Sequence, residues 1–187
     1  MQFYHDDAEL LRVLTRYVGT ALVGGDVAIV VATGPHRIAL DHRLAARGLD
    51  VSVARGEGRY VTIDAQTLLD TFLIAGRVDT RKALGVVGEV LTRACSMQNV
   101  DGGPAHVFAF GEMVALVTAQ RDPEEAVRLE EVWNTLGNAY DFTLCCGYPM
   151  ATFSPRHAAP FVRICGLHTH VFHASHRNRT PLVGSLT

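Results

Sequence analysis

Cys165 and His168 stand three residues apart, a spacing that on a helix lets a thiol and an imidazole face one ion. A closed zinc site needs four ligands, usually from two such pairs. The remaining candidates, Cys145, Cys146 and His173, have no usual ligand spacing. Cys145 and Cys146 are adjacent, and on a strand adjacent side chains point to opposite faces. The expectation is a buried cysteine beside a hydrogen-bonded histidine, with no metal and no cofactor. Glu130, Trp133 and Asn134 are spaced by three and four residues, so they share a helical face. A polar face beside a large aromatic can line a small-molecule pocket; equally, Glu130 and Asn134 can bridge neighbouring loops.

Glu112 lies between two apolar runs, Val107 to Phe110 and Met113 to Val117. Burying a carboxylate unpaired costs several kcal/mol, so it needs a partner or a cavity. His36 and Arg37 follow Thr33-Gly34-Pro35, where a helix start can hold an anion; a solvated first turn is the equal alternative. Asp64 closes an apolar segment, and a lone carboxylate there most often caps the next helix. A phosphate-binding loop requires Gly-x-x-x-x-Gly-Lys-Ser/Thr after a strand. The turn at Thr33 is too short for it and has no Lys, and Pro35 removes an N–H donor. No Ser–His–Asp or Cys–His arrangement is readable for nucleophilic catalysis.

The elements that must position these residues alternate along the chain. Asp6 or Asp7 caps a helix carrying Leu10, Leu14, Val18, Ala21 and Leu22, which Gly24-Gly25 ends. Val27 to Ala32 is a near-continuous apolar run that suits a central parallel strand buried on both faces. A helix from Pro35 to about Ala45 follows, ended by Gly48. Leu49 to Val53 reads as a short strand, and Arg59 to Asp64 as another. Helices are expected after Asp64 and from Asp79 or Thr80 to about Met97. His106 to Phe110 is a strand, and a helix begins near Gly111, although an extended segment fits there too. Asp122-Pro123-Glu124-Glu125 starts a helix, with acids near the positive end of its dipole. Phe142 to Cys146 is the last strand, and Pro155 to about Phe172 is helical.

About five strands separated by helices imply an α/β fold in three layers, a mostly parallel central sheet with helices on both faces. Ligands in such sheets bind at the carboxyl ends of the strands. Residues 33–37, Asp64, Glu112 and Gly147-Tyr148 should therefore converge on one edge. Composition fits a globular chain, with 187 residues, 48% hydrophobic and 19% charged. The net charge of -2 gives no electrostatic reason to expect nucleic acid or an anionic membrane. No apolar run is long enough to span a bilayer, and Met1 to Asp7 lacks the features of a signal peptide. A cytoplasmic protein with reduced thiols is expected.

Several segments taken in order carry a family likeness. They are Phe3-Tyr4-His5-Asp6-Asp7, Phe110-Gly111-Glu112-Met113-Val114-Ala115-Leu116, Leu129-Glu130-x-x-Trp133-Asn134-x-Leu136, Leu144-Cys145-Cys146-Gly147-Tyr148-Pro149, and Ile164-Cys165-x-x-His168-Thr169. Together they resemble the MEDS family, the methanogen/methylotroph, DcmR-type sensory domain, over roughly residues 2 to 173. The resemblance implies a sensory domain for small hydrocarbon derivatives or related signals, with a RecA/KaiC-like fold that lacks a P-loop. Members are often fused to histidine kinases or DNA-binding regulators. No such output segment is readable here, so the expectation is either signalling through a separate partner of that kind or a fragment of a longer protein, and a homodimer stays open. Gly147 replaces the commoner alanine, which is expected to loosen local packing.

The sequence thus anticipates a sensory domain over residues 1–173, and a polar, disordered tail over 174–187. The expected role is ligand binding and not catalysis. The small organic ligand would meet Glu112, Glu130, Trp133, Asn134, Tyr148 and His168, with His36 and Arg37 at the same edge. An enzyme or residual nucleotide site using Asp64 and Glu112 is the alternative.

Overall fold

The apolar run after Gly25 sets the architecture. In the computed structural model, which describes residues 1–120, 123–152 and 158–173, it forms β2 (Val27–Ala32), and every residue of it is buried. Val27, Ile29 and Val31 face one core, whereas Ala28, Val30 and Ala32 face the other. This is the signature of a parallel strand covered on both sides. β2 lies between β3 (Tyr60–Asp64) and β6 (Val107–Gly111), and β7 (Phe142–Pro149) follows β6. β1 (Gln2–Tyr4) pairs with β7, and β8 (Phe172–His173) pairs with β1. The sheet order is β3-β2-β6-β7-β1-β8, with all pairings parallel.

The expected five-stranded parallel core is therefore present, with the two-residue β8 added at one edge. β1 was not readable as a strand because three residues are too few to show a period. Its position between β7 and β8 buries it, and the Met1 ammonium donates to the His170 carbonyl at 2.9 Å.

Helices α1 (Asp7–Val23), α2 (Gly34–Ala45) and α3 (Val51–Gly56) cover one face. The opposite face holds α4 (Ala65–Phe72), α5 (Thr80–Cys95), α6 (Met113–Gln120), α7 (Pro123–Ala139) and α8 (Ala158–Gly166). Between α4 and α5 the chain makes a small antiparallel hairpin, β4 (Leu73–Ile74) and β5 (Arg77–Val78). Asp6, Asp64 and Asp79 accept backbone N–H bonds at the starts of α1, α4 and α5, and each such cap satisfies donors the helix cannot.

Two expectations differ. Leu49 to Val53 is not a strand: Asp50 accepts from the backbone N–H of Ser52 and Val53 and starts α3 at Val51. The cap outweighs the β-branched preference of two valines, which have no neighbouring strand to pair with. Of the segment expected to be helical from Pro155 to Phe172, residues 155–157 lie outside the described residues and the rest divides into α8 and, after a turn, β8, because β1 offers Phe172 and His173 a ladder partner. The capping role expected of Asp122 and the tail expected at 174–187 lie outside the described residues.

Candidate functional site

Register brings the strand ends level. Ala32 is opposite Asp64, Val31 is opposite Gly111, and Gly111 is opposite Cys146. Tyr148 lies two residues further along β7, opposite Phe3. The residues the sequence places after the strands do gather at this edge, but they form two buried polar groups, each packed among helices of a different face.

On the α1–α2 side, a single residue, Thr33, separates the end of β2 from the start of α2. Thr33 has no side-chain cap bond of its own. Its backbone N–H donates to Oε2 of Glu112 at 2.8 Å. Oε1 of the same carboxylate pairs with Nδ1 of His36, and His36 Nε2 lies 3.2 Å from Asp7 Oδ1. Glu112 is 2% exposed. A buried carboxylate of the protein thus occupies the anion position that the dipole of α2 favours. The Glu112 hydrogen bond holds the His36 imidazole above its ordinary pKa, against the downward pull of burial, and Asp7 adds to the rise. The Tyr4 phenol nearby is pushed up, chiefly by burial and then by Glu112 and Asp7.

Arg37 is committed as well. It donates to the Ala32 carbonyl and reaches Asp64 Oδ2 at 2.9 Å. Asp64 is the helix cap the sequence favours, since its other oxygen accepts from Thr67. The Thr67 backbone N–H holds its carboxyl below the usual range, and Arg37 reinforces this. Both cations offered to an outside anion are therefore paired within the chain.

On the α7 side, Glu130 is 1% exposed. Tyr148 donates its hydroxyl to Glu130 Oε1 at 2.6 Å, and the Cys146 thiol lies 3.8 Å from Oε2. His168 Nε2 lies 3.4 Å from the same Oε2, while its Nδ1 lies 2.8 Å from the Ile164 carbonyl. The Cys146 thiol and the Tyr148 hydroxyl are both pushed well up, first by burial and then by the Glu130 charge. The carboxylate, thiol and imidazole of Glu130, Cys146 and His168 lie within 4.8 Å of one another. The spacing argument pointed to Cys165 as the companion of His168; the structure instead brings Cys146 to it from β7. Cys146 has no ligand spacing in sequence because its proximity to Glu130 and His168 arises from long-range packing of β7 against α7 and the turn after α8.

Trp133, one turn after Glu130, is 4% exposed and walls a small apolar cavity of about 10 Å³ with Ile29, Val31, Val87, Leu91 and Ala109. Its indole N–H is buried without an acceptor among the described residues. Asn134 is exposed and donates to the Leu167 carbonyl at 3.2 Å, bridging to the turn after α8. Of the proposed lining residues, Glu130, Tyr148 and His168 meet, Trp133 is adjacent on the same helix, and Glu112, His36 and Arg37 belong to the other groups. Among the described residues no hydrogen bond or ion pair joins the Glu112 and Glu130 groups.

Gly147 does not loosen the packing. A Cβ there would lie 2.9 Å from Phe110 Cζ, so the ring fills the space an alanine would need.

A three-layer parallel α/β domain with buried carboxylates at its strand ends defines the class. Residues 1–168 match the model of the MEDS family, the MEthanogen/methylotroph, DcmR Sensory domain, and the chain belongs to that family. Its role is accordingly sensory. A comparison with curated proteins gives no significant match. Among the described residues no helix is long and apolar enough to cross a membrane.

Proposed function

We propose that the chain senses a small, mostly apolar organic molecule on the α7 side of the sheet. Occupancy would pass to a partner protein, a histidine kinase or a transcription regulator. The observation that carries this reading is the small apolar cavity walled by Trp133, Ile29, Val31, Val87, Leu91 and Ala109. Apolar walls suit a molecule with a hydrocarbon or halocarbon body. The alternative, a nucleotide site or an enzyme at Asp64 and Glu112, is disfavoured by geometry. The one-residue turn at Thr33 has no room for a phosphate loop, and Glu112 takes the anion position itself.

Size sets the affinity to expect. The best small ligands gain at most about 1.5 kcal/mol per heavy atom. A three-atom ligand is thus limited to about 4.5 kcal/mol, a Kd near 1 mM. The cavity now has room for about one water-sized group, so Leu91 and Val87 must shift for the ligand to enter. The test is a thermal melt with a panel of one- to three-carbon alcohols, amines and halides. A stabiliser at ten times its Kd raises stability by about 1.4 kcal/mol, roughly 4 °C for a chain of this size. Val87→Leu, which fills the cavity, abolishes that shift. A panel without any stabiliser, or a shift unchanged in Val87→Leu, contradicts the reading.

A further inference from the structure

We propose that Glu130, Cys146 and His168 form a divalent transition-metal site, of the kind zinc occupies, with one coordination position left open. Nδ1 of His168 faces the Ile164 carbonyl at 2.8 Å, so it carries the proton and donates. In a neutral ring, Nε2 then presents a lone pair to the Glu130 Oε2 lone pairs. The residue's side chain is 8% exposed, and Nε2 has no hydrogen-bond partner among the described residues.

An imidazolium is the alternative, but a charge-assisted N–H···O bond spans about 2.7–2.9 Å. The observed 3.4 Å is long for that bond. It matches the ~3.3 Å that separates nitrogen and oxygen ligands around a tetrahedral zinc, from Zn–N and Zn–O bonds of about 2.0 Å. The same geometry puts thiolate sulfur about 3.5 Å from a carboxylate oxygen, close to the 3.8 Å found between Cys146 Sγ and Oε2.

Charge and support agree. Cys146 releases its proton on binding, and the thiolate and the Glu130 carboxylate together balance a 2+ ion. The buried site is then neutral, which a low-dielectric interior favours. Tyr148 holds Oε1 of Glu130 and turns Oε2 toward the cluster, while the Ile164 carbonyl fixes the His168 tautomer. Such outer contacts are what orient metal ligands. Three protein ligands leave a fourth position for water or for a ligand heteroatom. Metal binding does not depend on the organic-ligand reading, because metal alone is the probe.

The experiment uses untagged full-length chain, stripped with a chelator and titrated with Co²⁺. One Co²⁺ per chain is expected, with a thiolate-to-cobalt charge-transfer band, four-coordinate d–d absorption, and displacement of both by Zn²⁺. Cys146→Ser removes the charge-transfer band and weakens binding by about 10- to 100-fold, whereas Cys165→Ser keeps the band. Circular dichroism confirms that each variant is folded; if Cys146→Ser does not fold, His168→Gln serves and is expected to lose the four-coordinate spectrum. Absence of a saturable cobalt spectrum, or a charge-transfer band that survives in folded Cys146→Ser, overturns the proposal.

Discussion

At Glu112 a single carboxylate takes the Thr33 N–H and the His36 ring together, and the consequence is a pH-dependent stability. His36 has a folded pKa above its unfolded value of about 6.5. The folded state therefore binds the proton more tightly, and the contribution is complete below about pH 6.5. It is lost as pH rises through the raised folded value. Chemical denaturation across pH 5 to 9 should show this fall, and Glu112→Gln should flatten it, because a neutral amide can accept from Thr33 but no longer holds a charge on His36. Glu112→Ala should cost more, about 3 kcal/mol, by leaving His36 without its buried partner. Asp64 separates two roles in the same way. Asp64→Ala removes the α4 cap and should lower stability by about 1 kcal/mol, whereas Asp64→Asn keeps an equally good cap and gives up only the Arg37 pair. Glu112 was legible as a buried acid needing a partner because apolar runs flank it. Its partners were not, since His36 and Thr33 lie 76 and 79 positions away in the chain.

Among the elements, β7 shows how a strand's shape depends on what lies across from it. Gly147 faces the Phe110 ring of β6, and an added Cβ would approach its edge to 2.9 Å. Gly147→Ala should therefore destabilise by about 1–3 kcal/mol through overpacking. Combining it with Phe110→Leu should recover part of that loss, and a double-mutant cycle in urea measures the coupling. The sequence was readable where an element carries its own signal. The continuous run of β2, the caps at Asp6, Asp64 and Asp79, and the Pro123 start of α7 are of this kind. It was not readable where the signal belongs to a neighbour, as with β1 and β8, which are strands because β7 offers a ladder to β1 and β1 offers one to β8. In α3, Asp50 decided against the strand suggested by Val51 and Val53.

Across the whole molecule, two apolar cores lie on either side of one parallel sheet, and each carries its own buried acid at the strand ends. The Glu112 acid closes the α1–α2 side by filling a helix N-terminus. On the α7 side, among the described residues, the buried His168 Nε2 beside Glu130 has no hydrogen-bond partner, and one turn on Trp133 walls the apolar cavity. The α7 side is therefore where the proposed ligand site is placed. Trp133 is the chain's single tryptophan, so its emission reports the cavity directly. The decisive measurement is Trp133 fluorescence during titration with the one- to three-carbon panel and, separately, with magnesium-ATP. A saturable change near millimolar organic ligand, lost in Val87→Leu, together with a flat response to nucleotide, is the predicted result. Unchanged emission with every organic probe, alongside tight nucleotide binding and phosphate release, would contradict it.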